Sequence, residues 1–211
     1  VGGNTVGIAP QCTIKHSGYN FNVSEGVKAF DILADDYDKS DRPAVLNMSI
    51  WSTSRVYDDI LRQLRSKGVV IVVSAGNGGN NDRQLPALLN STLAIAAHDH
   101  QYSPTDFTSF GHDVDLWADG ALMKAAAIDG GYRQFNGTSA AAPIVSGAFA
   151  LLLEGSDKLQ TSDDVYELEK HFLKNFTVSD KLSPTKPKTT DRVLSVPKDI
   201  IGVFYTVPEP E

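Results

Sequence analysis

Three apolar runs, residues 44–50, 69–73 and 93–97, do most to limit what this chain can fold into. Each is too short for a packed helix and too continuous for a strand with one wet face. Runs of this kind mark strands covered on both faces. Between the first two, Tyr57, Ile60, Leu61 and Leu64 recur at helical spacing, and Gly68 closes the helix. Strands alternating with helices predict an α/β fold, a parallel sheet with helices on both faces. Residues 12–16 read as a further short strand. Residues 24–36 read as a helix with Val27, Phe30, Ile32 and Leu33 inward, and 162–175 as another helix. A Lys/Pro/Thr stretch at 183–190 reads as an exposed loop, and 193–201 as a closing strand and helix.

With 211 residues, 41% of them hydrophobic, the chain can bury one sizeable core. Residues 1–201 are expected to form one domain portion and 202–211 a tail. The net charge of −7 comes from interspersed acidic and basic residues, which excludes a nucleic-acid footprint. Neither 69–73 nor 140–153 is long and unbroken enough to span a bilayer. The only cysteine, Cys12, has no intrachain partner and reads as a small buried residue. Asn22, Asn90 and Asn175 each begin an Asn-x-Ser/Thr triplet, compatible with secretion.

The segment Asn136-Gly137-Thr138-Ser139-Ala140-Ala141-Ala142-Pro143 carries the chemistry. Ser139 follows a glycine and precedes Ala148, Leu151, Leu152 and Leu153, which read as a buried helix. A serine in a first turn sits among backbone N–H groups without intrahelical partners, where developing negative charge is favoured. Pro143 fits this position, because the bond it cannot donate would have gone to the Ser139 carbonyl. Taken alone, Gly-Thr-Ser is equally an ordinary capped helix in an Ala-rich core.

Read in order, Gly7-Ile8-Ala9-Pro10, Asn47-Met48-Ser49, Ser74-Ala75-Gly76-Asn77, Phe107-Thr108-Ser109-Phe110-Gly111 and the serine segment resemble the subtilisin-like serine peptidases. Val1-Gly2-Gly3-Asn4-Thr5-Val6-Gly7 is similar to the stretch after the catalytic histidine in the proteinase K branch. The resemblance runs from Val1 to about Lys198. It implies a Ser139 nucleophile, with the Asn77 amide and the Ser139 N–H stabilising the oxyanion. The family order is Asp, His, Ser. No Asp-Thr/Ser-Gly or His-Gly-Thr is present, so an upstream segment of the same precursor is the expected partner supplying the base and its orienting acid.

The same resemblance places a polypeptide substrate along Ser49, Ile50 and Trp51 on one side and Ser74, Ala75 and Gly76 on the other. Relatives carry glycine where Trp51 stands. Trp51 therefore stacks on a substrate side chain, narrows the first pocket or blocks the groove. Asp115, with the carbonyls of Asn90 and Thr92, matches a structural calcium site of the proteinase K branch; a solvated loop aspartate is the other reading. His98-Asp99-His100 invites zinc by its alternation, yet reads better as surface histidines, and His16 as a substitute base is remote. The leading expectation is a serine endopeptidase needing the upstream segment. The alternatives are an inactive peptidase-like binding module or a toxin-like structural subunit.

Overall fold

The computed structural model describes residues 1–18, 22–82 and 84–197. Four parallel strands form its centre: β1 (Val45–Met48), β2 (Val70–Ser74), β3 (Leu93–His98) and β4 (Leu116–Asp119). β8 (Val193–Leu194) adds in parallel beside β4, and β7 (Thr177–Val178) closes that side antiparallel, giving the order β1-β2-β3-β4-β8-β7. A separate hairpin, β5 (Met123–Ala126) with β6 (Tyr132–Phe135), leads into the serine segment.

All five residues of β2 are buried because the strand serves two cores. Val70 and Val72 face α3 (Thr138–Leu152) and α4 (Ser162–Asn175). Ile71 and Val73 face α1 (Val23–Asp38) and α2 (Val56–Ser66). This two-sided burial is what the apolar run foretold, and the mostly parallel α/β fold agrees with it. On α2, Tyr57, Leu61 and Leu64 turn inward, and the chain leaves the helix at Gly68 with φ +97. A Cβ there would stand 2.2 Å from the Leu159 carbonyl oxygen. Side-chain capping fixes the starts of α1 and α4. The Asn22 side chain accepts the Ser24 N–H at the start of α1, and Thr161 and Asp164 cap α4 reciprocally.

Two expectations require correction. Residues 12–16 form no strand: among the described residues nothing pairs with them, and a strand exists only through a ladder. β1 consequently lies at a sheet edge, with Val45, Leu46 and Asn47 only half-buried. Ile32 points to solvent at 63% exposure. It lies two residues, or about 200°, around the helix from buried Phe30, so both cannot face the core. Leu33 and Val27, three residues either side of Phe30, take the half-buried positions. The 183–190 loop has no regular element. Residues 198–201 of the expected closing helix and the 202–211 tail lie outside the described residues. Among the described residues no helix is long and apolar enough to cross a membrane.

Candidate active site

Ser139 is the second residue of α3, after Gly137 at the cap and Thr138 at the first helical position. Gly137 has φ 150 and ψ 158, a region essentially reserved for glycine, and its N–H donates to the Gly120 carbonyl at 2.9 Å. Pro143 inside α3 leaves the Ser139 carbonyl without its usual helical donor. The Ser49 hydroxyl, just past the end of β1, supplies one at 3.2 Å. Asn47 continues the link: its amide nitrogen donates to Ser49 Oγ at 3.4 Å, and its Oδ1 accepts the Ser146 hydroxyl at 2.9 Å. The end of β1 is thereby joined to the start of α3.

β2 delivers the second element. Past Ser74 the chain turns through Gly76, φ +108, and places Asn77 beside the start of α3. Asn77 Oδ1 accepts both the Thr138 N–H, at 2.9 Å, and the Thr138 hydroxyl, at 2.8 Å. Thr138 Oγ1 in turn accepts the Gly76 N–H at 3.2 Å. Two donors on Oδ1 fix which end of the amide is oxygen, so Nδ2 is turned outward as a donor. A Cβ added at Gly137 would stand 3.4 Å from Asn77 Nδ2 and 3.6 Å from the Ser139 backbone nitrogen. Two N–H donors therefore border one small space beside Ser139, which only a glycine at 137 leaves open. Such a pair can hold a negatively charged oxygen.

The flanking walls follow from the same strand ends. Ser49 and Ile50 are half-buried, whereas Trp51 is 69% exposed. The next residue, Ser52, is pinned by an isolated antiparallel bridge to Leu85, its N–H donating to the Leu85 carbonyl at 2.8 Å. Ser74 and Ala75 are buried, and Gly76 is held by the Ser109 N–H on its carbonyl at 2.9 Å.

The profile described as Subtilase family matches residues 1–193. The chain belongs to the subtilase family. Its curated relatives include a subtilisin-like protease 7 from Trichophyton equinum, 32% identical over 163 residues, covering 72% of this chain and 40% of that protein. A subtilisin-like serine protease Pen ch 13 from Penicillium rubens is 40% identical over 121 residues, 54% of this chain and 30% of that protein. Alkaline elastase YaB from Bacillus sp. (strain YaB) is 32% identical over 110 residues, 51% of this chain and 29% of that protein. The matched part is thus well under half of each relative. The crystal structure of a cold-adapted subtilisin-like serine proteinase superposes with a TM-score of 0.73 at 27% identity, covering 83% of this chain and 62% of that one.

Within this subtilase the histidines stand apart from Ser139. His98 is buried, not on the surface as its polar context suggested: as the last residue of β3 it sends Nδ1 to the Asp99 carbonyl at 2.7 Å. His100 pairs with Asp119, His112 with Asp113 at 3.1 Å, and His171 contacts Asn175. Exposed His16 hydrogen-bonds nothing that bears on the site. Among the described residues, none of these histidines hydrogen-bonds Ser139, and no group of three or more His, Cys, Asp or Glu is placed to hold a metal.

Around the starts of β3 and β4, at the opposite strand ends from Ser49 and Asn77, a cleft of about 520 Å³ brings Asp115, Asn90 and Thr92 together, with Arg65, Glu169, Lys170, Lys174 and Arg192 also on its wall. Asp115 Oδ2 accepts the Ala94 N–H at 2.7 Å. Burial pushes its carboxyl up to about 7, against the opposing pull of that N–H. The Thr92 hydroxyl donates to the Pro86 and Leu89 carbonyls, both at 3.0 Å. A carboxylate and backbone carbonyls are oxygen donors of the kind a hard cation takes, while Lys170, Lys174 and Arg192 on the same wall oppose one. Arg65 and Glu169 neutralise each other there through two 2.6 Å bonds.

Proposed function

We propose that this chain is the nucleophile-bearing portion of a serine endopeptidase that cleaves polypeptides through an acyl-enzyme. The observation that carries the reading is the pair of donors, Asn77 Nδ2 and Ser139 N–H, bordering one space beside Ser139. In this reading Ser139 Oγ attacks the scissile carbonyl and gives its proton to a base. The carbonyl oxygen becomes an oxyanion held by the two donors. Collapse expels the amine, which takes the proton, and water then hydrolyses the ester by the same route reversed. The substrate strand lies along Ser49, Ile50 and Trp51, with Ser74, Ala75 and Gly76 forming the neighbouring wall.

The base and its orienting acid belong, on this proposal, to a segment of the same precursor preceding Val1. The free edge of β1 supports that partner, since half-buried apolar residues beside unpaired backbone favour adding a strand. Calcium bound by the Asp115 carboxylate and the Asn90 and Thr92 carbonyls would supply structural cohesion at the starts of β3 and β4, not chemistry. Secretion is part of the same proposal, consistent with the Asn-x-Ser/Thr triplets at Asn22, Asn90 and Asn175.

The test compares the complete protein, its Ser139→Ala variant and the chain from Val1 alone on a peptide panel. Losing a triad serine or histidine costs about 10⁶-fold in turnover. Ser139-dependent hydrolysis by the complete protein is expected, with the lone chain no faster than the alanine variant. Robust turnover by the lone chain removes the upstream partner, and no Ser139-dependent turnover by the complete protein removes the peptidase. For calcium, a chelator should lower the melting temperature of the complete protein, and Asp115→Asn should abolish that difference.

A further inference from the structure

The geometry points to Trp51 as a specificity-determining platform that stacks on a flat side chain, an aromatic ring or a guanidinium, near the substrate's scissile bond. This rests on the peptidase reading above and names a feature of the substrate. Trp51 lies two residues beyond Ser49, whose hydroxyl is fixed on the Ser139 carbonyl at 3.2 Å. On its other side Ser52 is pinned to Leu85 by backbone pairing. The backbone under the indole is thus anchored at both ends, within a few residues of the nucleophile, while the side chain is 69% exposed. Among the described residues its ring takes part in no aromatic pair or cation contact, whereas Phe30, Tyr37, Tyr57, Tyr102 and Tyr132 all do.

Of the three roles the sequence left open, blocking the groove requires an indole packed into it, and a ring packed that way is not two-thirds exposed. Stacking and narrowing remain, and a large π-face held by a rigid segment is the arrangement that favours offset stacking with aromatic rings and cation–π contact with arginine. A platform of this kind prefers flat partners over β-branched or small ones.

The chain holds two tryptophans, Trp51 at 69% exposure and Trp117 fully buried, so collisional quenching reports on Trp51 selectively. The experiment uses the complete protein carrying Ser139→Ala, with peptides differing among Phe, Arg, Val and Ala at single positions on either side of the scissile bond. Trp51→Gly in the same background supplies the reference signal and any tryptophan from other segments. Stacking contributes about two- to tenfold in affinity. At one position, Phe or Arg peptides should bind that much tighter than Ala or Val and shield Trp51 from acrylamide. Trp51→Gly should level the series, and Trp51→Phe should keep part of it. Preference for Phe alone assigns an aromatic partner, and for Arg alone a cationic one. An unchanged series in Trp51→Gly, or undiminished quenching with bound peptide, overturns the platform. Because binding is read without turnover, an intact platform in a protein lacking Ser139-dependent hydrolysis would sink the peptidase reading and leave this one standing.

Discussion

On the proposed reading Asn77 has two separable jobs, and one pair of substitutions divides them. Its Oδ1 accepts two hydrogen bonds from Thr138, a residue with no exposed surface, while Nδ2 faces the space beside Ser139. Asn77→Ala strips both donors of their acceptor. A buried unsatisfied donor costs about 1–3 kcal/mol, and because Asn77 itself is exposed, water can replace part of the loss, so we expect about 2 kcal/mol. For a chain of this size that lowers Tm by about 4–8 °C. Asn77→Asp keeps the acceptor and adds negative charge at the start of α3, worth about 0.3–1 kcal/mol in favour of the fold. It removes the donor, however, and loss of one oxyanion donor costs about 10²–10³ in turnover. The assay is urea and thermal unfolding followed by circular dichroism, alongside kcat/KM for a short peptide, on the complete protein. The Ala variant should be less stable and nearly inactive, and the Asp variant fully stable and nearly inactive. An Asp variant with parental turnover, or an Ala variant melting with the parent, refutes the division.

Gly137→Ala should abolish Ser139-dependent turnover and cost about 1–3 kcal/mol in urea unfolding, because φ 150 strains any other residue and the new methyl enters the space between the two donors. Parental activity in that variant removes the donor-pair geometry. The Arg65–Glu169 pair, whose side chains are 12% and 10% exposed, joins α2 to α4. Glu169→Ala should cost about 3–5 kcal/mol, and Arg65→Met with Glu169→Leu together much less, in a double-mutant unfolding cycle. Tyr37 donates its hydroxyl to the Leu159 carbonyl at 3.1 Å, and burial pushes its pKa up to about 12. A pKa raised on folding favours the native state below the unfolded value near 10, and that contribution is lost as pH climbs through about 12. Tyr37→Phe should therefore flatten the alkaline limb of a stability profile, and an unchanged limb would exclude Tyr37 as its source.

The sequence was legible where burial writes a pattern. The runs at 69–73 and 93–97 became β2 and β3 because strands feeding two cores must be apolar throughout. The helix expected at 162–175 is α4 to the residue, since Thr161 and Asp164 announce its start. The β5–β6 hairpin went unread for the opposite reason: all of β6 is exposed, so no alternation marks it. The short β4, four residues with Asp119 at its end, was likewise too brief to register. In the site, Ser139 and Asn77 stood out by their neighbours, and Pro143 announced a freed carbonyl. That Ser49 fills it, 90 residues away, and that Thr138 locks Asn77, 61 residues away, are facts of packing that local pattern does not encode.

The hairpin has an evolutionary consequence. Its strands pair with each other, and its root is closed by the Gly137 N–H on the Gly120 carbonyl and by Asn136 Oδ1 on the Leu122 N–H. Everything between those two clasps, including the fully exposed Ile128, is a loop whose length adds only slowly to the entropy of closure. The ribbon can lengthen, shorten or take up new sequence while the clasps hold the serine turn in place. A lineage can thus explore new surfaces directly beside Ser139 without disturbing it.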